Sequence, residues 1–83
     1  MKKILITGVG GFIGSQLSIK LLKNYKIIGI DNLDNYYSVK LKKLRIKILK
    51  KHSNFKFYKI DIRNIKSLKN IISNNNFDYV FHF

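Results

Sequence analysis

Three glycines, Gly8, Gly11 and Gly14, recur at every third position near the start of the chain, and an acid, Asp31, follows 17 positions after the last. Ile4-Leu5-Ile6-Thr7 ahead of them is a short apolar run, the pattern of a strand covered on both faces. Behind them Ile13, Leu17, Leu21 and Leu22 recur at helical spacing. Gly8 then sits in the tight turn out of the strand, and Gly11 lets the main chain approach a bound group. Gly14 lets the helix pack close to the strand. The group such a turn suits is a pyrophosphate, because unpaired N–H groups and the helix dipole favour an anion at a helix N-terminus. A nucleoside-triphosphate P-loop is excluded, since Ser15-Gln16 follows Gly14 where that motif needs Lys and Ser/Thr.

Asp31 ends a second strand, Lys26 to Ile30, and lies 23 positions after Gly8. That matches the ~20-residue spacing of an acid that accepts hydrogen bonds from the adenine ribose. A carboxylate there repels a 2′-phosphate, so the cofactor implied is NAD and not NADP. The plain alternative is an ordinary loop aspartate. Asp61 holds the corresponding place after a third strand, where its carboxylate and the backbone of Ile62 could meet the adenine edge. An Asp-initiated turn into the next helix fits the same residues equally well.

The elements that must position these groups follow from periodicity. After the first helix, from Phe12 or Ile13 to about Lys23, comes the strand ending at Asp31, and then a polar, aromatic-bearing loop from Asn32 to Tyr37. A second helix is expected from Ser38, as N-cap, to about Lys51. Leu41, Leu44 and Ile48 form its apolar line, with Lys40, Lys43, Lys47, Lys50 and Lys51 solvated. Phe55 to Ile60 alternates apolar residues with lysine as a third strand. Asn64 to about Ser73 carries Ile65, Leu68, Ile71 and Ile72 at helical spacing, and Asp78 to Phe83 reads as a fourth strand. Strands alternating with helices make an α/β, doubly wound parallel sheet. The dinucleotide-binding order is 3-2-1-4, here a partial Rossmann fold truncated after the fourth strand.

Bulk properties narrow the function classes. With 83 residues the chain is one small domain, and it has no cysteine, so disulfides, thiolate metal sites and a thiol nucleophile are excluded. His52 and His82 have no carboxylate cluster with them, and no metal site is expected. No run approaches the ~18–20 apolar residues of a membrane span. Met1-Lys2-Lys3 before Ile4 only faintly imitates a signal peptide, so a cytoplasmic protein is expected. The net charge of +13 invites a nucleic-acid or anionic-surface reading. Against it, lysine is spread over every segment and Arg45 and Arg63 are the only arginines, whereas specific nucleic-acid recognition leans on arginine forks.

Taken together, Gly8-x-x-Gly11-Phe12-Ile13-Gly14-Ser15, Asp31-Asn32-Leu33, Asp61-Ile62 and His82-Phe83 resemble the N-terminal part of an extended short-chain dehydrogenase/reductase. Within that superfamily the chain is similar to NAD-dependent nucleotide-sugar epimerases. The loop Asp31 to Lys42, with its paired Tyr36-Tyr37, resembles that of UDP-glucuronate 4-epimerases. The resemblance implies that Gly8, Gly11 and Gly14 form the pyrophosphate loop, with Phe12 and Ile13 donating backbone N–H groups. It implies that Asp31 and Asn32 hold the ribose, Asp61 and Ile62 the adenine, and that Phe83 lies beside the cofactor.

It also implies a boundary. Epimerases of this kind use a tyrosine base with a lysine four positions later, located after the fifth strand. Tyr36 and Lys40 have that spacing but precede the third strand, so no catalytic residue is assigned. Residues 1–83 are therefore expected to be the NAD-binding N-terminal part of such an epimerase, lacking the substrate domain and inactive alone. A UDP-sugar is a partner only if a C-terminal domain completes the site. Two rivals stand beside this reading. One is a lysine-rich module for nucleic acid or an anionic surface; the other is a non-catalytic half that pairs with a separate C-terminal chain.

Overall fold

A computed structural model describes residues 1–33 and 39–83. The expectations placed on Tyr36 and on Ser38 as a helix cap lie outside the described residues. The elements in order are β1 (Lys3–Thr7), α1 (Phe12–Leu21), β2 (Lys26–Asp31), α2 (Val39–Leu49), β3 (Phe55–Lys59), α3 (Ile65–Ser73) and β4 (Tyr79–His82). The strands form one four-stranded sheet in the order β3-β2-β1-β4. Every pairing is parallel, with Ile4 beside both Ile27 and Tyr79, and Ile27 beside Phe55. This is the partial Rossmann arrangement expected from the alternation of strands and helices.

Side chains alternate across a strand, so one sheet splits the apolar residues into two cores. Ile4, Ile6 and Ile27 face α1 and α2, where Val9, Leu22, Ile46, Leu49 and Phe55 close the larger cluster. Leu5, Ile28 and Ile30 face the other way, against Ile71 of α3, with Leu68 and Phe77 packed around them. Each fully buried aliphatic side chain contributes roughly 1.5–3 kcal/mol. The second face is thinly covered, and among the described residues β4, at its edge, pairs only with β1. Tyr79, Val80, Phe81 and Phe83 are all exposed there.

The sheet corrects three apolar stripes read from the sequence. In α1 the expected Leu21 and Leu22 do pack on the core at the helix end, but along the helix the buried residues are Gly14, Ser15 and Ser18, and Ile13 is 63% exposed. The glycine turn brings the helix too near β1 for large side chains, and small residues fill the gap. Their hydroxyls are satisfied locally, Ser18 Oγ donating to the Gly14 carbonyl at 2.7 Å and Ser15 Oγ to Phe12 at 3.0 Å. In α2 the buried stripe is Lys42, Ile46 and Leu49, and the expected line of Leu41, Leu44 and Ile48 is exposed. Both stripes have helical spacing; the buried one puts Ile46 and Leu49 into the core and Lys42 beside the Asp31 carboxylate. In α3, Leu68 and Ile71 pack on the sheet whereas Ile65 and Ile72 are exposed. That helix begins at Asn64, whose side chain accepts from the Ser67 N–H.

Candidate functional site

The glycine turn leaves β1 at Gly8, whose φ of 70° lies in the left-handed region that only glycine enters cheaply. Gly8 and Val9 both donate to the Ile30 carbonyl, at 2.9 and 3.2 Å, which ties the turn to the end of β2. An ideal Cβ on Gly14 would lie 2.5 Å from the Gly8 carbonyl oxygen, so the helix can start this close only with glycine there. Gly11 precedes α1 as its N-cap residue without a side-chain bond, and the first turn carries no acid. The opening N–H groups of Phe12 and Ile13 have no intrahelical acceptor. Unpaired N–H groups at a helix N-terminus favour an anion.

Asp31 at the end of β2 closes the opposite wall. Its carboxylate is buried and accepts from Gly10 N–H at 2.9 Å and Leu33 N–H at 2.8 Å, with Lys42 Nζ at 3.5 Å. The Gly10 bond joins the acid directly to the glycine turn 21 residues earlier. Leu33, which donates to Asp31, holds a positive φ of 57°. Arg45, one turn after Lys42 on α2, donates from Nη1 to the Gly10 carbonyl at 3.2 Å. Its guanidinium carbon sits 5.7 Å from the centre of the Phe12 ring. Lys42 and Arg45 were not singled out by the sequence reading. The available signal was the i, i+4, i+7 stripe of Lys42, Ile46 and Leu49, together with the rarity of arginine.

These groups line one open cleft of about 570 Å³. Of the ten positions expected to meet a cofactor, Gly8, Gly11, Phe12, Ile13, Gly14, Asp31, Asn32, Ile62 and Phe83 share its wall. They are joined by Lys42, Arg45, Thr7 and His82. Thr7 Oγ1 and His82 Nδ1 lie 2.6 Å apart, and Phe83 N–H reaches the Thr7 carbonyl at 3.3 Å, pinning the end of β4 to β1. Asp61 stands apart from the wall, although Ile60 and Ile62 on either side of it belong there. The Asp61 carboxylate is turned to Arg63, accepting from the guanidinium at 2.6 Å and the backbone N–H at 2.9 Å. The Arg63 guanidinium first, and its N–H second, lower the Asp61 pKa to about 2; the side chain of Asn32 adds a weaker bond in the same direction.

No group of three or more His, Cys, Asp or Glu side chains among the described residues is placed to hold a metal ion. No helix among them is long and apolar enough to cross a membrane.

A parallel sheet in the order 3-2-1-4, with a glycine turn at the crevice and an acid at the end of the second strand, is the first half of a dinucleotide-binding Rossmann domain. The family model described as GDP-mannose 4,6 dehydratase matches residues 5–83, and the chain belongs to that family. It is 48% identical over 79 residues to a UDP-glucuronate 4-epimerase of Thermodesulfobacterium geofontis, covering 94% of this chain and 24% of that protein. It is 45% identical over 85 residues to a dTDP-D-glucose 4,6-dehydratase of Dictyostelium discoideum, covering 99% of this chain and 19% of that protein. Among solved structures, the UDP-glucuronic acid 4-epimerase of Bacillus cereus in complex with NAD superposes with a TM-score of 0.86 at 40% identity. The match covers 98% of this chain and 26% of that one. The chain thus spans about a quarter of the length of the relatives it matches. These matches bear out the resemblance to nucleotide-sugar epimerases carried by the Gly8 to Ser15 and Asp31 motifs.

Proposed function

We propose that this chain is the NAD-binding part of a nucleotide-sugar epimerase of the UDP-glucuronate 4-epimerase kind, and that alone it does not epimerise sugars. The observation that carries the reading is the joining of Asp31 to the glycine turn through Gly10 N–H on one cleft wall. The residues present fit an adenine dinucleotide. Gly14 lets α1 start directly against the Gly8–Val9 backbone, where a Cβ would clash, the opening residues of α1 line the cleft, and an acid ends β2.

In this reading Gly8, Gly11 and Gly14 shape the pyrophosphate loop, and Phe12 and Ile13 donate to it. Asp31 and Asn32 hold the ribose. A carboxylate has about four acceptor positions, and Asp31 uses three on Gly10, Leu33 and Lys42. A ribose diol needs two, and the 3.5 Å Lys42 contact, the longest, is the one that yields. Ile62 borders the adenine and Phe83 the nicotinamide side, while the Asp61 carboxylate is turned away to Arg63. NAD, when bound, supplies hydride acceptance and return at a sugar carbon. Among the described residues, the cleft wall holds no tyrosine to pair with a lysine for moving the sugar's proton.

Isothermal titration of the purified chain with NAD tests this. Weak, saturable heat that Asp31→Ala abolishes supports it. Sub-micromolar affinity, or affinity indifferent to that substitution, contradicts it.

The bare side of β4 supports a second reading, in which a further chain segment pairs along that edge and brings the sugar site. Mixing this chain with the remaining three quarters of the Bacillus cereus relative is the trial. Epimerisation of UDP-glucuronic acid in the mixture, absent from either part, supports it; no activity in a mixture that associates contradicts it.

A further inference from the structure

The acid at the end of β2 is usually read as a simple barrier to a 2′-phosphate. Here it is not alone. The Lys42 ammonium lies 3.5 Å from it, with the two side chains 10% and 3% exposed, and Arg45 stands on the same wall. Arg45 spends one donor nitrogen on the Gly10 carbonyl, the same residue whose N–H binds Asp31. One cation, Lys42, thus contacts the carboxylate, while Arg45, one turn further along α2, is held on the same cleft wall through Gly10; the three side chains together carry a formal charge of +1.

We propose that Lys42 and Arg45 form a phosphate-binding pair that Asp31 masks, so that the choice between an adenosine 2′-hydroxyl and an adenosine 2′-phosphate is set by the three residues together. This rests on the reading of the cleft as an adenine-dinucleotide site. With the acid in place, Lys42 is neutralised locally and a phosphate meets the carboxylate first. With the acid replaced by its amide, the Lys42 ammonium loses its ionic partner and faces the cleft beside the Arg45 guanidinium. An ammonium and a guanidinium side by side suit a phosphomonoester, which offers three acceptor oxygens and close to two negative charges. Lys42 is a specificity-determining residue here, and Asp31 acts partly by occupying it.

The test titrates the full 83-residue chain with adenosine 5′-monophosphate and with adenosine 2′,5′-bisphosphate, following backbone amide shifts by NMR. Those spectra also report whether each variant is folded. The wild-type chain favours the monophosphate. Asp31→Asn reverses the preference, gaining about tenfold or more for the bisphosphate, the size of one charge-assisted hydrogen bond. Adding Lys42→Met to Asp31→Asn cancels that reversal. This double variant removes both charges of the pair and so leaves no buried charge unpaired. Two outcomes overturn the inference while leaving the dinucleotide reading intact. In one, a folded Asp31→Asn chain binds the monophosphate without any gain for the bisphosphate; in the other, the gain persists without Lys42. A folded wild-type chain that binds neither nucleotide overturns the dinucleotide reading and this inference with it.

Discussion

Lys42 Nζ lies 3.5 Å from the Asp31 carboxylate, and both side chains are almost wholly removed from solvent. This contact joins the end of β2 to α2, on the helix face that also buries Ile46 and Leu49. Breaking a buried pair from one side leaves an uncompensated charge, whereas removing both ends does not. Lys42→Met is expected to lower the unfolding free energy by roughly 3 kcal/mol, the low end for such pairs because two backbone N–H groups still serve Asp31. Lys42→Met combined with Asp31→Asn is expected to recover most of that loss. Urea unfolding of both variants measures it, and equal losses would contradict the pairing.

The phase of α2 makes a second contrast. Ile46→Ala removes a side chain that is 4% exposed and is expected to cost about 2–5 kcal/mol. Leu44→Ser alters one that is 53% exposed and is expected to stay within about 0.5 kcal/mol of wild type. Thermal unfolding followed by circular dichroism separates them. A larger cost at Leu44 than at Ile46 would restore the stripe first read from the sequence.

That stripe shows where the sequence is legible and where it is not. Gly8, Gly11, Gly14 and Asp31 report backbone needs and a strand end, and both are local properties of the chain. So the turn, the βαβ unit and the strand order could be read directly. The burial of α2 depends on a partner from another element. A lysine counts as polar until an acid is known to lie beneath it, so Leu41, Leu44 and Ile48 won on hydropathy alone. The α1 face was hidden for a related reason, since Gly14, Ser15 and Ser18 face the sheet for their small size. Arg45 escaped notice because its role comes from the Gly10 carbonyl, 35 residues away.

Gly14→Ala sets two effects against each other. Alanine is favoured over glycine inside a helix by about 1 kcal/mol. The new Cβ, however, would stand 2.5 Å from the Gly8 carbonyl oxygen and 3.1 Å from Val9 Cα, both backbone atoms with no rotamer to yield. Overpacking of this kind costs roughly 1–3 kcal/mol, so net destabilisation is expected in urea unfolding. The clash also displaces the start of α1 from the glycine turn, so NAD binding is expected to weaken in the same variant. A stabilised Gly14→Ala chain would contradict the close approach of α1 to β1.

Asp61 supplies a pH dependence. Its folded pKa is lowered to about 2, first by the Arg63 guanidinium and next by the Arg63 N–H. A lowered carboxylate pKa adds stability above the unfolded value of 3.8, and that stability is lost as pH falls through about 2. In Arg63→Met the Asp61 carboxyl is expected to titrate higher, closer to 3.8. Carbon-13 shifts of the Asp61 carboxyl from about pH 1.5, just below the folded value, to about pH 6, roughly two units above the unfolded one, record the midpoint. An unmoved midpoint would remove Arg63 as its cause.

The central claim is that the cleft between the glycine turn and Asp31 receives NAD. Amide shifts of the isotope-labelled chain during NAD titration test it most directly. The account predicts saturable shifts that concentrate at Gly8 to Gly14 and at Asp31 to Leu33, and that vanish in a folded Asp31→Ala chain. Shifts confined to the lysines of α2, fading with added salt, would contradict it and favour a general affinity for polyanions.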